Sequence, residues 1–297
     1  MRRCHGGTAT KMKQHSGDGY LGASADAIRA HYDRGTEFYE LWLDQSLTYS
    51  CALWGGATSL EAAQFQKNDF HIESAEAAGS ARVLDVGCGW GSMLERLVTR
   101  HGVANAVGLT LSRDQALFVA RKEIPGVEVR IENWADHTAE VPYDAIICVG
   151  MLEHCARIEL EGDAKIAAYR RFFVRCHSLL RGGRCLSLQT ICFGTLRKLD
   201  SFIRDRIWPE SNLPCLHEIV MASDGLFEIE NLKSDRLDYA RTCDAWAGNL
   251  ERQREKALEV AGDVVVSDYL RFLKMSVKAF ETGALNLYRV KMRRLGP

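Results

Sequence analysis

From residue 81 the chain alternates short apolar runs with longer segments whose apolar residues recur every three or four positions. "ARVLDV" (81–86), "ANAVGLT" (104–110), "GVEVRI" (126–131), "YDAIICVG" (143–150) and "RGGRCLSLQT" (181–190) read as strands. "GSMLERLVTRHG" places Met93, Leu94, Leu97 and Val98 on one helical face, and "SRDQALFVARKEI" reads as a helix with Ser112 as N-cap. A long helix runs through "AAYRRFFVRCHSLL" (167–180). This strand–helix repetition predicts an α/β fold, a mostly parallel sheet with helices on both faces. Residues 24–78 are expected to be mostly helical, and "ALNLYRVKM" (284–292) to add a final edge strand. Residues 233–262 read partly as a polar-faced helix, with "LERQREK" as its solvated face. The expected organisation is a flexible arm over 1–23 and a single domain over 24–297, with lid elements at about 24–78 and 193–223.

Composition narrows the function classes. With 46% hydrophobic residues in 297, the chain can bury a full core. A net charge of -1 gives no electrostatic footprint for nucleic acid. No apolar run reaches the roughly 18–20 residues of a membrane span. The ten cysteines form no Cys-x-x-Cys pair and no zinc spacing, so no metal site is expected. Scattered free thiols suit a reducing, cytoplasmic location.

The chemistry starts at "DVGCGWG", a strand-to-helix turn with glycines at 87, 89 and 91. In open α/β sheets ligands sit outside the carboxyl ends of the strands, at such turns. Dinucleotide folds use G-x-G-x-x-G to lay a pyrophosphate on a helix N-terminus. The spacing here is G-x-G-x-G, that of S-adenosylmethionine (SAM) methyltransferases. SAM carries an amino-acid end and a sulfonium but no phosphate. Asp85 can organise the loop around the ammonium, while Gly87, Gly89 and Gly91 let the backbone lie against the methionine and ribose. The second strand ends in "VGLTLSRDQ" with no acidic residue for the ribose, leaving Thr110, Ser112 and Gln115 as its polar groups.

Several segments, in order, resemble the cyclopropane fatty acid synthase and mycolic acid cyclopropane synthase family. They are "HYDRGTEFYELWLDQSLTYSCALW", "LDVGCGWGS", "GLTLSRDQ", "GMLEHC", "FIRDRIWPESNLP" and "LDYARTCDAW", spread over about residues 27–290. The resemblance implies a class I, Rossmann-like methyltransferase fold. It also implies SAM contacts from Tyr49, Ser50, Gly87, Gly89, Thr110, Leu111, Gln115 and Trp134, the last beside the adenine. Ala135 follows Trp134 where the family carries an acidic residue.

The resemblance further implies attack of an alkene carbon on the sulfonium methyl, giving a carbocation, in an apolar lipid-like or specialised-metabolite substrate. A bicarbonate ion would act as base, held by Glu153, Tyr239, the backbone at Cys51 and a histidine. The histidine-bearing segment aligns with "LQTICFGTLRKLD", where Thr195 is read in its place, so either bicarbonate is held more weakly or the base step has changed. His154 is read as a structural neighbour. Phe38, Trp42, Trp54, Phe193, Phe202 and Trp208 are candidate walls of the apolar tunnel. A carrier protein or an anionic membrane surface is the candidate partner. Two other readings stay open: an N-methyltransferase of a small amine, with Glu153 as base, and a non-catalytic relative that binds SAM or lipid.

Overall fold

Residues 21–32 and 35–296 are described by the computed structural model, and the glycine turn lies at the middle of its sheet. Five strands run parallel: β1 (Arg82–Val86), β2 (Asn105–Thr110), β3 (Val127–Ile131), β4 (Tyr143–Val149) and β5 (Leu180–Phe193). Two more, β6 (Phe227–Ser234) and β7 (Leu285–Arg294), close the sheet antiparallel in the order β3-β2-β1-β4-β5-β7-β6. The chain runs outward from β1 to β3 and returns to β4 on the other side of β1. The β1/β4 boundary is therefore the topological switch point, where α/β sheets bind ligands. One expectation is corrected here. The 284–292 segment is not an edge strand: β7 pairs with both β5 and β6, and the polar β6 takes the edge. The sheet is mostly parallel, as expected, and its last two strands join by antiparallel pairing.

Alternation along β1 loads both faces. Leu84 and Val86 pack with Ile146 and Cys148 of β4 against Tyr169, Phe172 and Phe173 of α6 (Gly162–Leu179). Val83, Ala145 and Ile147 face Leu94 and Leu97 of α4 (Ser92–Arg100) and Ile72 of α3 (Leu60–Ser74). Each large side chain so buried contributes about 1.5–3 kcal/mol. Ser112 does cap α5 (Arg113–Arg121), its hydroxyl accepting from Gln115 N–H at 3.1 Å.

A third apolar cluster lies above the carboxyl ends of the strands. It joins α2 (Thr36–Glu40) and the irregular 41–59 segment to α8 (Arg236–Arg252) and α9 (Arg254–Glu281). The expected 233–262 helix is thus two helices meeting at Gln253, with a kink at Gly262 (φ +79°). The N-terminal region is less helical than expected, with α1 (Ala25–Tyr32), α2 and α3 separated by the 41–59 stretch. Of the arm expected over 1–23, residues 1–20 lie outside the described residues. Residues 21–23 are tied down: Arg157 N–H donates to Leu21 O at 2.8 Å and Ala23 N–H to His154 O at 2.9 Å. No described helix is long and apolar enough to cross a membrane.

Candidate active site

A cavity of about 1020 Å³, partly continuous with solvent, opens at the carboxyl ends of β1, β2 and β4. The glycine turn forms its floor. Gly87 has φ +83°, and a Cβ there would lie 2.9 Å from Met151 Cβ, so the Met151 side chain packs directly against the Gly87 backbone. Trp90 of the turn also lines the cavity and ties it to α2. It is buried, donates from Nε1 to Thr36 Oγ1 at 3.2 Å, and its ring lies 4.8 Å from that of Tyr39.

The structure brings most of the expected donor-site residues together. Asp85, Gly87 and Gly89 line the cavity from the turn, and Thr110, Leu111 and Gln115 from the β2–α5 junction. Thr110 Oγ1 donates to Gln115 Oε1 at 2.7 Å, which fixes the side chain that stands where the acidic ribose ligand is missing. Glu132 and Asn133, at the end of β3, also line this side; neither was expected. Trp134 lines it too, its ring edge-on to Phe172 at 5.4 Å. Tyr49 and Ser50 close the cavity from the 41–59 segment.

Gly91 is a correction. It does not line the cavity; it caps α4 at φ +81°, where a Cβ would stand 2.7 Å from Val119 Cγ2. Its missing side chain serves helix packing.

A smaller chamber of about 430 Å³ adjoins the first, and Tyr49, Ser50, Gly150 and His154 line both. Glu153 faces it from the short 3₁₀ turn Leu152–His154 that follows β4. Its Oε1 accepts from Ile191 N–H at 2.6 Å, while Oε2 is buried with no hydrogen-bond partner among the described residues. Burial pushes the Glu153 carboxyl up to about 7, although the Ile191 N–H favours the charged form. His154 bonds Ser211 through Nδ1 at 2.7 Å, and burial holds its ring down at about 4, so it is a neutral neighbour. Tyr239 of α8 lines the chamber, stacked on Phe280 at 4.5 Å.

Two expected residues do not reach the chamber. Thr195 is exposed on the 194–202 loop, its N–H donating to Gly283 O at 3.0 Å; it lines neither cavity. Cys51 sits behind the wall, and burial pushes its thiol up to about 12, which removes any nucleophilic role. Its carbonyl accepts from Gln189 Nε2 at 3.5 Å and Arg289 Nη2 at 3.3 Å. Of the six candidate tunnel aromatics, Trp208 lines the chamber, with its ring 5.4 Å from that of Phe272. Phe38, Trp42, Trp54 and Phe193 are core residues, and Phe202 lies under Arg271 at 4.1 Å.

Gln189, in the same aligned segment as Thr195, takes the place by Glu153 instead. Its Oε1 accepts from Arg289 Nε at 2.9 Å and from His71 Nε2 at 3.1 Å. Burial, with Arg289 and Lys67 nearby, keeps the His71 ring neutral, so Nε2 carries its proton and Nδ1 accepts from Ser187 Oγ at 2.8 Å. Arg289 also pairs with Asp235 and donates to Ala52 O at 3.0 Å. Gln189, Arg289 and His71 were missed. One signal was present: the inward positions of α3 at i, i+3, i+4 spacing carry Gln64, Lys67, Asn68 and His71.

A family model described as mycolic acid cyclopropane synthetase matches residues 21–290 of the chain. Cyclopropane mycolic acid synthase 2 of Mycobacterium bovis is 30% identical over 270 residues, covering 84% of this chain and 88% of the relative. A protein of Pseudomonas putida named "Probable fatty acid methyltransferase" is 32% identical over 278 residues, covering 90% of this chain and 68% of its own. Among solved structures, the cyclopropane synthase MmaA2 from Mycobacterium tuberculosis superposes with a TM-score of 0.82 at 27% identity, covering 92% of this chain and 99% of its own. Mycolic acid cyclopropane synthase CmaA1, complexed with S-adenosylhomocysteine (SAH) and CTAB, gives the same values.

Proposed function

Because the chain belongs to the mycolic acid cyclopropane synthetase family and is a SAM-dependent methyltransferase, we propose that it methylates an alkene carbon of a lipid-like chain, with Glu153 as the anionic wall of the acceptor chamber. One observation carries this reading: the glycine-floored cavity and the Glu153 chamber adjoin, sharing Tyr49, Ser50, Gly150 and His154. SAM supplies an electrophilic methyl carbon activated by its sulfonium. The protein's part is alignment at about 3–3.5 Å, exclusion of water, and negative charge near the cation that develops on the alkene. Glu153 provides that charge when ionised. The apolar side of the chamber, Ile191, Trp208 and Leu287, provides no nucleophile to quench the cation.

Asp85 receives the ammonium of the amino-acid end. Burial pushes its carboxyl up to about 7, with Lys67 opposing, so the unliganded site holds a proton at acid pH. A cationic ligand group favours the ionised form, and SAM affinity is expected to fall as pH drops through about 7. Calorimetry across that range checks this; a flat profile in the wild type, or an unaltered slope in Asp85→Asn, would count against the assignment.

Bicarbonate fits the acceptor chamber on one count: Glu153 Oε2 is a buried acceptor without a partner among the described residues, and bicarbonate has an O–H to donate. Glu153, Gln189 and Tyr239 would hold it, and Thr195 would take no part. Incubating the protein with methyl-labelled SAM and a panel of cis-unsaturated acyl lipids and small amines, with and without bicarbonate at fixed pH, tests the whole reading. A cyclopropane or methyl-branched acyl product by NMR is expected, faster with bicarbonate. Methylation of amines alone would replace alkene chemistry with N-methyl transfer.

The 193–223 segment is read as the cover of the chamber, since it carries Trp208. Its exposed Leu196, Arg197 and Lys198 give it a mixed apolar and basic face, suited to an anionic lipid surface or an acidic carrier as the source of the chain. The nine cysteines among the described residues are all buried free thiols, which suits a cytoplasmic location.

A further inference from the structure

We propose that Lys67 binds the carboxylate of the amino-acid end of SAM, so that Lys67 and Asp85 together read the ligand's zwitterion; this rests on the SAM reading above. Lys67 lies on the buried face of α3, is 2% exposed, and lines the donor cavity beside Asn68 and Asp85. An ammonium has three N–H donors. The one hydrogen bond described for Lys67 goes to Asn68 Oδ1 at 2.7 Å. No carboxylate among the described residues lies within ion-pair distance of it.

The contrast with the other buried lysine is direct. Lys165 is paired with Glu218 at 2.9 Å and donates to Leu213 O at 2.8 Å. A buried cation without a partner is costly, and the usual solutions are a counter-ion or loss of the proton. Burial does hold the Lys67 ammonium down at about 8, while Asp44 and Asp85 oppose that shift from a distance. Asp44 is not available as a partner. Its carboxylate takes Ser46 N–H at 3.0 Å, Thr48 N–H at 2.9 Å and the Ser46 hydroxyl.

The surroundings suit an anion. Asn68 Nδ2 donates to Ser92 Oγ at 2.8 Å, and Ser92 is the first residue of α4, whose N-terminal dipole adds positive potential to the same wall. A carboxylate beside Lys67 would complete the ion pair that the fold leaves open, while the ligand's ammonium would keep Asp85 ionised. The protein would then recognise an intact α-amino acid and not adenosine alone.

Titration calorimetry with SAM and with decarboxylated SAM, which lacks only the carboxylate, tests this on the full chain. Wild-type protein is expected to bind SAM about 10- to 100-fold more tightly than the decarboxylated ligand, the scale of a charge-assisted contact. Lys67→Met should weaken SAM by a similar factor and leave the decarboxylated ligand unchanged, and Lys67→Arg should restore part of the loss. Equal weakening of both ligands would assign Lys67 a structural role and overturn the proposal. So would a wild type that binds both ligands alike, a result that stands even where the Met variant does not fold. A wild type that binds neither ligand would remove the SAM reading itself.

Discussion

Glu153→Gln is expected to lower kcat by about 10²–10³-fold while SAM affinity stays within a few fold. The substitution keeps the volume of the side chain and the Oε1 acceptor for Ile191 N–H, bonded at 2.6 Å. It removes the charge, and it replaces Oε2, a buried oxygen with no hydrogen-bond partner among the described residues, with an N–H₂ group. An ionised carboxylate stabilises the developing cation far more than it stabilises the neutral alkene, so the loss belongs in kcat. Steady-state kinetics with calorimetry on the same protein separates the two; parallel loss of SAM binding would make Glu153 a structural residue. The carboxyl is neutral below its value of about 7 and charged above it, so wild-type turnover should rise as pH climbs through about 7. Stability should move the other way. Between the ordinary 4.5 and about 7 the folded state holds a proton that the unfolded chain has released, so raising pH across that window weakens the fold.

Gly87→Ala is the second large effect, and it should strike binding and chemistry together. The residue sits at φ +83°, where an L side chain costs about 1–2 kcal/mol. The added methyl would also stand 2.9 Å from Met151 Cβ and 3.1 Å from its Cγ. Met151 lines the donor cavity and directly precedes the turn that carries Glu153. Pushing it aside misplaces the acid as well as the floor, and a displacement near 1 Å is enough for about 10²-fold in rate. Gly56→Ala is the matched control. Its φ is +92°, nothing lies within 4 Å of the added atom, and the residue lines neither cavity. It should share the backbone strain and keep SAM binding; equal loss of binding in both variants would show that the collision with Met151 is irrelevant.

The first half of the sheet was legible because its signals are local. β1 to β4 are apolar runs punctuated by Gly, Ser and helical periodicity, and "DVGCGWG" announces its own turn. β6 was not legible: "FEIENLKS" is polar enough to read as a loop and becomes a strand only by pairing with β7, a partner more than fifty residues away. Most of the residues expected at the larger cavity came from contiguous motifs and do line it, whereas those expected at the smaller chamber came from scattered segments and only some line it. Thr195 was chosen over Gln189 within one aligned segment because sequence gives no depth. In the structure Gln189 is 1% exposed and Thr195 is on the surface. Lys67 and His71 were passed over for a related reason. Polar residues on a helix normally mark its solvated face, and α3 inverts this by turning Gln64, Lys67, Asn68 and His71 inward.

The position of β7 has a consequence for how the enzyme comes into being on the ribosome. Arg289 on this strand is the clasp that holds Gln189 and the Cys51 and Ala52 carbonyls in one place. The doubly wound half can collapse as soon as β5 has emerged, since its contacts are sequential. The smaller chamber, which Leu287 of the same strand lines, must wait for a strand translated nearly a hundred codons later. A chain truncated before residue 285 would keep all five parallel strands and lack Arg289, and with it the clasp on Gln189 and the carbonyls of residues 51 and 52.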